Sequence, residues 1–158
     1  MFDFIFLTKN QKLVKKWTKE HEKIVSLTNM VIAEYSKNNH KKAKKLLIEL
    51  NSLVVDHVTD ENIEFFKLQR DTENKLSNKN TLLMNEFVKT FADVKKDLMK
   101  FLTKYTKKDT PLDDTFFDTL NKLAEILLER IKYEESKLYN VLKLSKEEQK
   151  WQKFKEGY

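Results

Sequence analysis

A near absence of glycine and proline is the feature that most constrains how this chain can fold. The 158 residues include one Gly and one Pro, whereas tight hairpins and phosphate-binding loops depend on several glycines. The lack of Cys excludes disulfides, thiolate-bound zinc, iron–sulfur clusters and thiol nucleophiles. Because this length suits one domain, the sequence predicts a single all-α domain over residues 1–158.

Apolar residues recur at steps of three and four residues, which predicts long amphipathic helices. The first helix is predicted from about Asn10 to Lys37 and the second from near His40 through Leu68. The third is predicted over residues 79–105 and the fourth over residues 111–142. Helices of this length joined by short links favour an antiparallel up-down-up-down four-helix bundle.

Local signals mark where the bundle begins and ends. Thr110 is predicted to cap the fourth helix, with Pro111 at the first helical position and Asp113 returning a bond to the cap. An apolar leader at residues 1–9 precedes the bundle. A further capping box predicts a short tail helix within residues 143–158.

Polar residues interrupt the apolar stripes of three helices. They are His21, His57, Glu61 and Glu134, with Arg130 one turn before Glu134. His57 and Glu61 are four residues apart, so they project from the same helix face. Imidazole and carboxylate ligands suit iron, zinc or manganese. The pattern predicts a metal site at these two histidines and two glutamates.

No nucleophile stands beside a base, so no catalytic residue and no enzymatic activity are predicted.

The segments that contain these residues resemble the hemerythrin-like (HHE cation-binding) domain family. The resemblance rests on Glu-His-Glu-Lys-Ile at 20–24, Asp-His-Val-Thr-Asp-Glu at 56–61 and the helix at 129–139, within roughly residues 10–142. It implies a four-helix bundle with a diiron centre bound by a His on the first helix and a His-x-x-x-Glu motif on the second. An iron-binding or sensing protein with a regulatory, non-enzymatic role would follow.

The third and fourth helices depart from the family's ligand pattern. Phe87 and Phe91 occupy the inward positions where ligands of the third helix are expected, and Arg130 stands where the last helix should offer a His. The site is therefore expected to hold mononuclear iron or a degenerate diiron centre, with no metal as the alternative. Because a guanidinium cannot ligate a metal, Arg130 is predicted to pair with Glu61 or Glu134 and replace the metal by a buried ion pair.

Residues 11–17 and 123–135 also resemble the regulator-of-sigma-D (Rsd/AlgQ) anti-sigma family. Its members are metal-free helical bundles that bind a basic helical domain of a sigma factor. The alternative prediction is a metal-free interaction bundle whose partner is a transcription or signalling component. The net charge of +6 suits a basic partner poorly.

Charge and hydropathy give the remaining expectations. No apolar run reaches the roughly 20 residues of a membrane span, and the leader lacks the basic start and cleavage site of a secretory signal. A cytoplasmic location is therefore predicted. Acidic and basic residues are interspersed and the basic runs lack aromatic platforms, so nucleic acid is not a predicted partner. The leader is predicted to pack on its own bundle, with a homodimer contact as the alternative.

Overall fold

The computed structural model of the protein describes residues 9–71, 78–143 and 154–155. The helices are α1 (Lys9–Ser36), α2 (His40–Asp71), α3 (Asn78–Tyr105), α4 (Asp114–Tyr133) and α5 (Tyr139–Lys143), and a π-helical segment (Glu134–Leu138) separates the last two. Residues 154 and 155 are helical, and these ranges contain no strand. Apart from these two residues and the ends Lys9 and Lys143, the predicted leader and tail helix lie outside the described residues.

The long helices form the predicted antiparallel four-helix bundle. α1 packs against α2 on one side and against α4 and α5 on the other, while α3 packs against α2 and α4. Consecutive helices reverse direction because their links are too short to allow any other arrangement. The all-α prediction is confirmed. Within the described part of the chain, no helix combines the length and the apolar character needed to cross a membrane.

The buried side chains form two clusters at opposite ends of the bundle. The apolar end is the larger cluster, built around Val31, Leu47, Leu102, Phe116 and Leu120. The aromatic end consists of Val14, Trp17, Phe65, Met84, Phe87, Leu138 and Tyr139. Along α1, His21 lies between Trp17 of one cluster and Ile24 of the other, so the polar positions predicted from the sequence lie between the two apolar clusters.

The turn between α1 and α2 closes the apolar end. Asn38 adopts a positive φ of 64°, which asparagine tolerates better than most residues. Its N–H donates to the Tyr35 carbonyl at 2.9 Å, and the N–H of Asn39 donates to the Glu34 carbonyl at 2.9 Å. This pair of bonds is a Schellman motif, which satisfies the last carbonyls of α1 and allows α2 to start at once.

After the link from α3, the helix α4 begins at a different residue from the one predicted. Asp113, not Thr110, is the N-cap, and its Oδ1 accepts the Phe116 N–H at 2.7 Å. Pro111 lies in the link and not at the first helical position. The predicted cap at Thr110 is therefore wrong, since Asp113, which was predicted to bond back to that cap, is itself the N-cap and its carboxylate is a preferred acceptor there.

A lysine from α2 holds this same link. Lys44 Nζ donates to the carbonyls of Tyr105, Lys107 and Thr110 at 2.5, 2.8 and 2.6 Å. A cation at the end of a helix satisfies its last carbonyls and opposes the negative end of the helix dipole. The contact ties the end of α3 to the start of α2.

Candidate metal centre

The four predicted donor residues converge inside the bundle. His21 comes from α1, His57 and Glu61 from α2, and Glu134 from the π-helical segment. All four side chains are buried. One ligand atom from each residue lies within 4.8 Å of the ligand atoms of the other three. The structure thus brings together residues that are as far as 113 positions apart in the sequence (134 − 21).

The ring nitrogens of both histidines face the two carboxylates. His21 Nε2 lies 3.4 Å from Glu134 Oε1 and 3.7 Å from Glu61 Oε1. His57 Nε2 faces the same Glu61 Oε1 but has no hydrogen-bond partner among the described residues. Apart from this ion-pair contact with Glu61, the nitrogen has no partner among the described residues. A buried nitrogen in this state is open to a metal ion.

Two further glutamates lie behind the histidines. Glu20 Oε1 is 2.8 Å from His57 Nδ1. A proton on Nδ1 can be donated to this carboxylate, which leaves the Nε2 lone pair directed at the cluster. Glu135 Oε2 is 3.7 Å from His21 Nδ1, which has no hydrogen-bond partner among the described residues. Of the two Nδ1 atoms, therefore, only that of His57 has a hydrogen-bond partner among the described residues.

The electrostatics of the cluster favour a positive charge at its centre. Burial opposes the charged form of His21, but the carboxylates of Glu134 and Glu61 outweigh this and raise the pKa of His21 to about 10. Burial also opposes ionisation of Glu61, yet the two imidazoles lower the pKa of that carboxyl. Burial and the charge of Glu61 raise the pKa of Glu134 to about 7. A proton and a metal ion would therefore compete for this position.

The π-helical segment explains how the end of the fourth helix reaches the cluster. The N–H of Tyr139 donates to the carbonyl of Glu134, five residues earlier. In an α-helix residues five apart point about 140° away from each other, at about 100° per residue. The π-type bond closes one turn over five residues, so both Glu134 and Tyr139 are buried facing the interior. An α-helical register through Leu142 was predicted, and this part of it is wrong.

Tyr139 is a site residue that sequence reasoning missed. Its hydroxyl donates to Glu61 Oε2 at 3.3 Å and lies 3.3 Å from His21 Nε2. The ring is nearly parallel to the His21 ring, at 9° and 5.8 Å between centroids, and it packs against Trp17. An α-helical stripe through Glu134 passes through Leu138 instead, so no signal based on periodicity could have identified Tyr139.

Arg130 does not form the predicted ion pair. Its Nη2 donates to the Phe87 carbonyl and its Nη1 to Thr90 Oγ1, each at 3.1 Å. The guanidinium carbon lies 4.4 Å from the Phe87 ring centroid and 5.0 Å from that of Phe91. No carboxylate among the described residues forms an ion pair with it. The reason is that α3 offers the guanidinium two aromatic rings, a helix carbonyl and the Thr90 hydroxyl, although its Nε has no hydrogen-bond partner among the described residues.

The donor set fits one divalent transition-metal ion. Two imidazoles and two carboxylates suit iron, zinc or manganese, and His57 Nε2, which makes no hydrogen bond and contacts Glu61 Oε1, gives an ion a nitrogen ligand next to a carboxylate oxygen. Two ligands on opposite sides of one ion are about 4.2 Å apart, twice a typical bond length. The 4.8 Å spread of the donor atoms is therefore within small side-chain adjustments of a common ion.

The comparison with protein families agrees with this geometry. The model of the hemerythrin HHE cation-binding domain matches residues 12–142, a range that includes all four donors. No curated protein and no solved structure matches the chain significantly. The match spans most of the sequence and confirms the resemblance inferred from the motifs. The chain therefore belongs to the hemerythrin HHE cation-binding domain family.

Proposed function

We propose that this protein binds a single iron ion through His21, His57, Glu61 and Glu134 and works as a binding or sensing protein, not as an enzyme. The observation that carries the proposal is the convergence of four buried donor atoms within 4.8 Å, one of which, His57 Nε2, has no hydrogen-bond partner among the described residues. A bound iron ion would supply a redox-active centre with ligand positions left open by the protein.

The surroundings of the cluster support one ion instead of two. On the side of α3, the rings of Phe87 and Phe91 stack at 5.6 Å between centroids, and the Arg130 guanidinium lies over both rings. Carbon and guanidinium groups offer no ligand to a second ion. The metal-free alternative was motivated by Arg130 and by the phenylalanines of the third helix, and the ion pair that Arg130 was expected to form in place of a metal is absent among the described residues, because the guanidinium bonds to α3.

The space enclosed by the four donors suits a small ligand. A cavity of about 40 Å³ is lined by the four donor residues together with apolar side chains including Val54, Leu98 and Leu127. One or two small molecules fit such a volume, and larger cavities of about 340 and 660 Å³ adjoin Glu61 and His21.

The wider role in the proposal is regulatory. We place the protein in the cytoplasm and expect a signalling or transcription component to bind it when the metal-bound state changes. Exposed apolar side chains on α2 and α3, including Ile63, Phe66 and Leu82, give a protein partner a surface to recognise.

An anaerobic titration of the chelator-treated protein with Fe(II) tests the proposal. We expect one ion per chain and a higher melting temperature, because a ligand at 100 times its Kd stabilises the folded state by about 2.7 kcal/mol. His57→Ala should remove both effects, and EDTA should reverse them. His40→Ala is the matched control, since His40 is exposed and stacks on Tyr35 far from the cluster. Absence of binding to the wild-type protein, or equal binding to His57→Ala, would overturn the proposal.

A further inference from the structure

The helical register after α4 places a tyrosine hydroxyl beside Glu61 and His21 of the donor cluster. The π-type bond from Tyr139 to Glu134 gives these two residues a common direction, which an α-helix would not. Single π-turns are rare in proteins, but those that occur are often found at functional sites. The register change brings in Glu134 as a donor and also introduces Tyr139, so both residues follow from one backbone feature.

The environment of Tyr139 fixes where its hydroxyl lies. The residue is 1% exposed, and its ring is held between Trp17 and His21. The hydroxyl donates to Oε2 of Glu61, while the other oxygen, Oε1, faces the histidine Nε2 atoms. Hydrogen bonds to the outer oxygen of a ligating carboxylate orient the ligand and tune its affinity for the metal.

We propose that Tyr139 is a positioning residue that holds Glu61 as a ligand through a single oxygen. Its hydroxyl donates a hydrogen bond to Oε2 of Glu61, so only Oε1 is free to bind the ion. The Tyr139 ring, parallel to the His21 ring, keeps that imidazole in place. This inference rests on the proposed metal binding. It assigns to Tyr139 a role that acts through Glu61 and not by contact with the ion.

Metal affinity measured in the full chain tests this role. Tyr139→Phe keeps the ring and its packing but removes the hydroxyl, and we expect the affinity for Fe(II) to fall by about 10- to 100-fold. The metal-free variant should retain the helical signal and a cooperative melt. Tyr133→Phe is the matched control, because Tyr133 stacks on Phe87 and not on a donor residue. Its affinity should stay at the wild-type value.

A double-mutant cycle shows whether Tyr139 acts through Glu61. In a Glu61→Ala background, Tyr139→Phe should cause no further loss of affinity for Zn(II), which is used here because it stays in one oxidation state. An equal loss in both backgrounds, or an unchanged affinity in the single variant, would overturn the inference. Failure of the wild-type chain to bind any metal would instead reject the proposed function, so the two failures are distinguishable.

A measurement on the wild-type protein keeps the inference testable if Tyr139→Phe does not fold. Direct ligation would convert the phenol to a phenolate and give the Fe(III)-loaded protein a visible tyrosinate-to-iron charge-transfer band. We expect no such band, since the hydroxyl is engaged with Glu61. Its appearance would make Tyr139 a ligand and would overturn the positioning role.

Discussion

Each end of the bundle buries an apolar cluster, the larger one at the apolar end, but the two ends treat their polar atoms differently. At the apolar end, Lys44, Asn39 and Asp113 satisfy the exposed helix termini with short hydrogen bonds. Next to the aromatic end, three buried polar atoms have no hydrogen-bond partner among the described residues: His21 Nδ1, His57 Nε2 and Arg130 Nε.

This difference separates the part of the fold that provides stability from the part that is free to bind. A buried polar atom without a partner costs about 1–3 kcal/mol, and native structures tolerate few of them. Their concentration around one cluster means that the remainder of the bundle offsets the cost. Stability and metal affinity should therefore respond to substitutions at different ends.

The largest effect is expected from a truncation at the apolar end. Phe116 is fully buried and contacts the rings of Phe101 and Tyr105. Phe116→Ala should lower the free energy of unfolding by about 3–5 kcal/mol, because a cavity replaces the ring. Denaturant titration of the metal-free protein measures this value.

The neighbouring phenylalanine provides the control for that truncation. Phe117 is only partly buried and stacks on Tyr35, so Phe117→Ala should cost clearly less. Both variants should bind metal with the wild-type affinity if they are assayed well below their melting temperatures. A large drop in affinity for Phe116→Ala would show that the two ends are coupled and would contradict the separation proposed here.

Much of the architecture was predictable because it depends on periodicity. The apolar steps of three and four residues placed the ends of α1 and α3 within one residue of their observed positions. The predictions of helix caps, which depend on local interactions, were less successful. Asp113 displaced Thr110 as the cap because the choice depends on which side chain meets a free N–H, and a sequence pattern does not show that.

The candidate site was predictable to the extent that it depends on polar residues in apolar stripes. His21, His57, Glu61 and Glu134 all stood out in this way, and the structure brings them together. Glu20 and Glu135 did not stand out as candidate site residues. Glu20 directly precedes His21 and Glu135 directly follows Glu134, and adjacent helical residues do not share a face. Their contacts with the histidines depend on side-chain reach between helices.

A smaller effect is expected from proton competition at the cluster. The pKa of His21 is raised to about 10, above its unfolded value of about 6.5. Its contribution to the stability of the metal-free protein is therefore fully present below about pH 6.5 and is lost as the pH rises through about 10. Metal binding must displace this proton, so affinity should change in the opposite direction.

The affinity for Zn(II), measured by chelator competition, should rise about tenfold per pH unit above about pH 7, since at least one proton is released per ion. Below about pH 7 the slope should steepen, because Glu134, with a pKa of about 7, also binds a proton. His40→Ala should leave the slope unchanged. An affinity independent of pH would show that the ion does not bind at His21.

The smallest effect is expected at Arg130, which lies beside the cluster but bonds to α3. Arg130→Met should lower the free energy of unfolding by about 1–2 kcal/mol, through loss of the hydrogen bonds and the contact with Phe87. Arg130→Lys should lose most of the same energy, since a lysine keeps the charge but not the planar fork. Metal affinity should change by less than about tenfold in both variants, because the separated charges interact weakly. A larger gain in affinity for Arg130→Met alone would instead show that the guanidinium charge acts as the substitute for a metal ion. The positive charge of Arg130 would then be what prevents metal binding at the donor cluster.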